Sequence, residues 1–195
     1  MSLFEQEYLD ASCKFRKEHA NVTPCNYAQI APIFKAYHYK GSRIGGGITK
    51  CFALVYAHKV VGGAVLGPPR HSLKYPDSID IRRMACLDSS PRNSESYFIG
   101  QLIKWIRKNT DAKFVLSYSD LTEGHVGTIY KASNFKCVGE TSPSKNVFWN
   151  GERYHPRSLS IDREYSYRLR EAMKTGEAYM VEGKPKKIWI FDLKR

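Results

Sequence analysis

Between Ser117 and His125 the sequence sets hydroxyls, a phenol, a carboxylate and an imidazole close together, as Ser117, Tyr118, Ser119, Asp120 and His125. A carboxylate or imidazole can take a proton from an amine, and a phenol can donate one or stack on a base. A hydroxyl can hydrogen-bond a carbonyl. The cluster closes the apolar, β-branched and aromatic run Phe114 to Ser119, which reads as a buried strand. Asp120, Thr122 and Gly124 break that run. Val126, Ile129 and Tyr130 then have the spacing of a short helix ending at Ala132, Asn134 stops it, and Phe135 to Gly139 is again extended. Strand, loop, short helix and strand predict a βαβ unit with one of the shortest connections, its polar residues at the carboxyl end of the first strand. Ligands bind at that end in open α/β sheets. The same residues also suit a purely local role, with Asp120 and Gly124 forming a turn and His125 capping a helix.

Other candidates lie earlier in the chain. Tyr27, Ile30, Ala31, Phe34 and Tyr37 recur at helical intervals after Thr23-Pro24, and His38 and Tyr39 stand where that helix stops, ahead of Gly41. A histidine there caps the helix or titrates as a base or ligand. Ser42 to Gly47 contains three consecutive glycines and reads as a bendable loop, either substrate-facing or a plain linker. Lys50–Ala57 and Val60–Gly67 predict a hairpin joined at His58-Lys59, ended by Gly67-Pro-Pro-Arg70. The loop that follows mixes cations and an aromatic, and Arg70 and Lys74 are its candidates for phosphate contact. Ile79 to Leu87 is the next strand. Strict alternation sets Asp80 and Arg82 on one face, toward a substrate cleft or as a structural pair, and Ile79, Ile81 and Arg83 on the other. A strongly amphipathic helix follows, carrying Phe98, Ile99, Leu102, Ile103 and Ile106.

Composition bounds the reading. A chain of 195 residues with 42% hydrophobic and 26% charged residues suits a single globular domain, with residues 1–22 as an arm or helix and residues 140–195 as an extension packed on it. That extension predicts a hairpin turning at Asn150-Gly151, a helix from Asp162 to Lys174 with a solvated basic face, and a terminal strand Ile188 to Leu193. The net charge of +12 favours a polyanionic partner, nucleic acid before a membrane surface. Five widely spaced cysteines without a Cys-x-x-Cys pair imply neither a zinc knuckle nor a disulfide framework. With no apolar leader or membrane-length run, the expectation is a soluble protein of a reducing cytoplasm, with no membrane partner.

The string Ser117-Tyr-Ser-Asp-x-x-x-Gly-His-x-Gly-Thr-Ile-Tyr-Lys-Ala-Ser-Asn-Phe135 carries a resemblance. Its ending, Tyr130-x-x-x-x-Phe135, resembles the acyl-CoA-binding half of the GNAT acyltransferase fold. The fuller string is similar to a bacteriophage group on that fold, the Mom-type DNA-modification proteins, over about Pro24 to Leu159. The resemblance implies a GNAT-like mixed central β-sheet flanked by helices, with the hairpin, helix and strand as carboxyl-terminal additions. It implies transfer to the exocyclic amine of adenine in double-stranded DNA, giving a carbamoylmethyl, acetamido-type N6 derivative that protects phage DNA from host restriction. It also implies acetyl-CoA or a related acyl-CoA as donor. His38, Tyr39, Ser117 and Asp120 are then catalytic candidates, because the group has a functionally important His-Tyr pair near this point. Tyr118, His125, Asp80 and Arg82 become substrate-facing candidates, with Arg70 and Lys74. Leu87, Arg92, Asn93, Ser94 and Tyr130 become donor-binding ones.

One departure stands out: the loop Asp88 to Ser96, where ordinary acetyltransferases carry a glycine-rich phosphate motif, contains no glycine. No ligand spacing points to a metal, although His38, Asp120 or a tyrosine could hold one. The oligomeric state is left open, a homodimer being one form. Two rival readings are an ordinary N-acetyltransferase, which the missing glycines and the charge oppose, and a non-catalytic DNA-binding protein on the same scaffold, which would not need Ser117, Asp120 and His38.

Overall fold

The computed structural model of the chain describes residues 12–38, 47–69 and 74–194. Tyr39 and Arg70, two of the candidates, therefore lie outside the described residues, as does most of the glycine loop. The chain divides into two compact units. The first comprises the described residues up to Tyr118, with Gly127–Val138 and the chain from Ile188; the second is Ser119–Val126 with Gly139–Lys187.

The first unit is built on a seven-stranded sheet in the order β1-β2-β3-β4-β5-β10-β6. Its strands are β1 (Ala20–Cys25), β2 (Lys50–Tyr56), β3 (Lys59–Gly67), β4 (Ser78–Cys86), β5 (Phe114–Asp120), β6 (Lys136–Glu140) and β10 (Lys186–Asp192). β1 to β4 pair antiparallel in sequence order, and β4 pairs parallel with β5. The alternation of β2 supplies both faces. Cys51 and Ala53 meet Ile30 and Phe34 of helix α1 (Tyr27–Tyr37), whereas Phe52 and Leu54 join Phe98, Ile99, Leu102, Ile103 and Ile106 of helix α2 (Ser94–Asn109). Burial of these large side chains drives the layering, at roughly 25 cal/mol per Å² of apolar surface removed from water.

Three expectations change. Ala20–Cys25 is a strand, not the lead-in to a helix; it contains Pro24, which an edge strand such as β1 tolerates because one row of its N–H groups is unpaired anyway. The hairpin of β2 and β3 turns at Ala57-His58, one residue earlier than expected, with both residues at positive φ (46° and 65°). That is the sense of turn whose twist matches two flanking strands. Third, β5 and β6 are not neighbours. β10 lies between them, so the short helix α3 (Thr128–Ala132) crosses over a strand contributed by the end of the chain. Val126, expected on that helix, precedes it and is exposed.

The second unit contains an antiparallel sheet in the order β8-β7-β9, made of β7 (Lys145–Trp149), β8 (Glu152–Tyr154) and β9 (Tyr179–Glu182). Asn150 and Gly151 turn the β7–β8 hairpin with φ of 50° and 75°, as their sequence foretells. Helix α4 (Glu164–Thr175) places Leu169 and Ala172 against Val147 and Ala178, and Gly176 at φ 84° ends it. Among the described residues, no helix is long and apolar enough to cross a membrane.

Candidate functional site

β4 and β5 pair over only three residues, Ser78–Phe114, Ile79–Val115 and Asp80–Leu116, and then part, although β4 continues to Cys86 and β5 to Asp120. Beyond the last pair the two strands are no longer hydrogen-bonded to each other. Ser117 stands at the parting. Its hydroxyl, 1% exposed, donates a long hydrogen bond to the Ile81 carbonyl at 3.4 Å. Asp80, at the last paired position, is fully buried.

A bulge on β4 explains why the expected alternation fails there. Val65 faces Arg83 and Leu66 faces Ile81, so Arg82 is the extra residue. Ile81 still packs into the cluster beneath α2, but Arg83 swings to the other face, where its guanidinium lies 5.7 Å from the centre of the Phe34 ring. Arg83 also hydrogen-bonds Tyr27, countering the burial that pushes that phenol up. Arg82 donates to the Pro68 carbonyl at 3.2 Å and lies along Gly67. A Cβ at Gly67 would fall 2.4 Å from the Gly47 carbonyl and 2.6 Å from the Arg82 side chain, so only glycine lets this arginine lie there.

The loop between β4 and α2 answers the missing glycines. Asn93 takes φ 73°, ψ 7°, the left-handed conformation that asparagine adopts more readily than most residues, and so begins α2 without glycine. Leu87 and Ser90 anchor the loop through Leu87 N–H to Val61 and Ser90 N–H to Leu87, and the buried Ser94 hydroxyl donates to Pro91 at 2.6 Å. Arg92 and Asn93 are exposed, and the backbone of Lys14 bridges to Arg92. The helix start offers N–H groups and a positive dipole end to an anion, with Arg92 beside it. Glu95 in the first turn opposes that attraction. It also adds to the burial that pushes the Cys86 thiol up. Tyr130 is a core residue, its ring 5.6 Å from Phe135 and 6.0 Å from Trp189. His38 caps α1, its N–H donating to the Phe34 carbonyl and its ring edge-on to Phe34. Lys74 is exposed, with its ammonium 5.4 Å from the Tyr75 ring. Tyr118 is half-buried.

In the second unit Asp120 is 1% exposed. Its Oδ1 accepts from the Thr122 N–H at 3.1 Å and its Oδ2 from the Lys186 ammonium. Its carbonyl accepts from the N–H of His125, whose side chain is exposed. Lys186 was not among the expected residues. It sits in Lys184-Pro-Lys-Lys187, which reads as a solvated lead-in to the last strand, and nothing in a basic run marks which lysine turns inward. Among the described residues, no group of three or more His, Cys, Asp or Glu comes together to hold a metal.

Charge is divided unevenly. The second unit carries ten lysines and arginines against nine aspartates and glutamates, so eleven of the twelve net positive charges belong to the first. Within the second unit several of the cations are answered locally: Arg153 pairs with Glu123, Arg168 with Glu164 and Lys174 with Glu171. Arg170 donates to the carbonyls of Leu159 and Ile161. The basic face of α4 is thus a solvated helix surface.

Comparison with solved structures gives the fold. The chain is similar to an acetyltransferase from Bacillus subtilis solved with CoA (TM-score 0.54, 11% identity, covering 90% of this chain and 99% of that one). It is also similar to the ribosomal-protein-S18-alanine N-acetyltransferase of Escherichia coli (TM-score 0.55, 11% identity, 90% and 95%). A third is a GNAT family acetyltransferase from Elizabethkingia anophelis with acetyl-CoA bound (TM-score 0.52, 10% identity, 90% and 99%). The fold is that of the GNAT acetyltransferases. In sequence, 85 residues are 36% identical to the methylcarbamoylase Mom of Escherichia phage Mu, covering 42% of this chain and 34% of that protein. The sequence profile of the Mom protein family matches residues 20–189, and the chain belongs to that family.

Proposed function

We propose that this protein modifies adenine in double-stranded DNA, using an acyl-CoA-type donor at the parting of β4 and β5, and thereby shields phage DNA from host restriction. The observation that carries the reading is that parting after the Asp80–Leu116 pair, in a chain of the Mom family. The residues present fit such a donor. β4 and β5 part beyond Asp80 and Leu116, as room for an amide-bearing chain requires, and Asn93 with the start of α2 and Arg92 offers donors to a diphosphate. Bound there, an acyl-CoA would supply the carbon that the adenine amine attacks and the thiol that leaves.

The remaining chemistry belongs to this chain. An exocyclic adenine amine is a weak nucleophile inside the base stack and must be turned out of it to react. His38, Tyr39 and Asp120 receive or orient its protons, Tyr118 positions the base, and Ser117 hydrogen-bonds the donor carbonyl or the base. The first unit, with its excess of positive charge, supplies the attraction to the phosphate backbone. The phage Mu relative is named a methylcarbamoylase, and the modification expected from the sequence is a carbamoylmethyl, acetamido-type group. Attack on the carbonyl of an acetyl thioester gives an N-acetyl amide and frees the CoA thiol, so a carbamoylmethyl group needs a donor that also carries the amide nitrogen.

The test is nucleoside analysis of DNA from cells expressing the protein. A modified deoxyadenosine, with the plasmid resistant to cleavage at adenine-containing restriction sites, is the expected result. Unmodified DNA with acetylated small molecules would instead favour an ordinary N-acetyltransferase.

A further inference from the structure

Asp120 does not stand alone at the end of β5, because Lys186 pairs with it. We infer that Lys186 is a positioning residue for the reaction, fixing the ionised Asp120 carboxylate so that it can orient the incoming amine; this rests on the DNA-modification reading. A carboxylate that is 1% exposed is tolerated as an anion only when it is paired and hydrogen-bonded. Here one oxygen accepts from the Thr122 N–H and the other from the Lys186 ammonium, whose own side chain is 16% exposed.

The lysine is held in turn by its backbone. Its N–H donates to Thr141 Oγ1 at 3.1 Å, and its carbonyl accepts from the Thr141 N–H at 2.9 Å. Two residues earlier the Lys184 N–H donates to Thr122 Oγ1 at 2.8 Å, tying the turn after Asp120 to the segment that delivers Lys186. Gly183 permits the approach, since a Cβ there would lie 2.9 Å from Thr122 Oγ1. Exposed ion pairs such as Lys174–Glu171 have no such support, and pairs of that kind contribute little. A carboxylate held at both oxygens has a defined direction, which is what orienting an amine N–H requires and what a freely rotating side chain lacks.

The test compares Lys186→Gln, Lys186→Arg, Asp120→Asn and the double variant Asp120→Asn/Lys186→Gln with wild type. It measures melting temperature, KM for a duplex oligonucleotide and the rate of adenine modification per folded molecule. The neutral double variant leaves no buried charge and should recover most of the melting temperature lost by Lys186→Gln. Its kcat should stay down by about a hundredfold or more, with KM for DNA within about threefold. Lys186→Arg, which keeps the charge, should retain kcat within about tenfold of wild type. A double variant with near wild-type kcat would make the pair purely structural and overturn the inference. Should the double variant fail to fold, equal kcat per folded molecule for Lys186→Gln and Lys186→Arg overturns it as well. A wild-type protein that modifies no adenine removes the functional reading and this role together, whereas an active wild type with an active double variant removes this role alone.

Discussion

Gly127 and Gly124 both belong to the Gly-His-x-Gly string, both have positive φ, and the structure makes them unequal. At Gly127 φ is 87°, and a Cβ would lie 2.2 Å from Trp189 Cζ2 and 2.4 Å from its Cε2; at Gly124 φ is 74° and nothing lies within 4 Å. Trp189 is 6% exposed with its ring 6.0 Å from Tyr130, so it cannot retreat without disturbing the core beneath α2. For Gly124→Ala only the backbone term applies, about 1–2 kcal/mol. For Gly127→Ala an overpacking term of about 1–3 kcal/mol adds to it, giving about 2–5 kcal/mol in all. At about 2–4 °C per kcal/mol for a chain of this size, Gly127→Ala should lose about 4–20 °C of melting temperature and Gly124→Ala about 2–8 °C. Thermal unfolding followed by circular dichroism reads both. Equal losses for the two variants would refute the packing of Trp189 onto Gly127 and, with it, the position of β10 between β5 and β6.

Other outcomes follow from the same structure. Burial pushes the Cys25 thiol up from 9.0 to about 11 and the Cys86 thiol higher still, so the folded state keeps protons that the unfolded chain releases. Stability from these groups is therefore complete below about pH 9 and falls as pH rises toward 11, which urea midpoints measured across that range should show. Alkylation at pH 8 should reach the exposed Cys137 before the buried Cys86, as peptide mapping over time would reveal. Affinity for duplex DNA should fall steeply with salt, by about a thousandfold or more from 50 to 200 mM if six or more phosphates are met. Because Arg168 and Lys174 are already paired within the second unit, replacing both with glutamine should leave that salt slope unchanged within about one unit. A slope reduced by two would place the DNA contact on α4.

Legibility in the sequence followed how local each cause was. Asn150-Gly151 could be read as a turn because both residues accept positive φ, and the buried residues of α2 were visible in their spacing. Ala57-His58 makes the same kind of turn with residues that carry no such mark, its geometry imposed by the flanking strands. β1 was hidden because its proline argues against a strand unless the strand is known to lie at an edge. The bulge at Arg82 could not be seen, since it depends on the register with β3, and it decides which face Arg83 occupies. Asn93 shows the converse: in a loop without glycine, an asparagine supplies the positive φ that begins α2. Of the candidate site, Ser117 and Asp120 were legible as the polar end of an apolar strand. Lys186 was not, because its contact with Asp120 joins positions 66 residues apart.

The central claim is that adenine in duplex DNA is the acceptor. It is tested most directly by incubating the purified protein with a defined duplex and the small-molecule fraction of a host lysate, then weighing each strand. A mass gain is expected on strands containing adenine, localised to that base by fragmentation, and none on a duplex whose adenines are replaced by unsubstituted purine, which lacks only the exocyclic amine. A gain that persists without that amine, or no gain on any strand while acetylated small molecules accumulate, would contradict it.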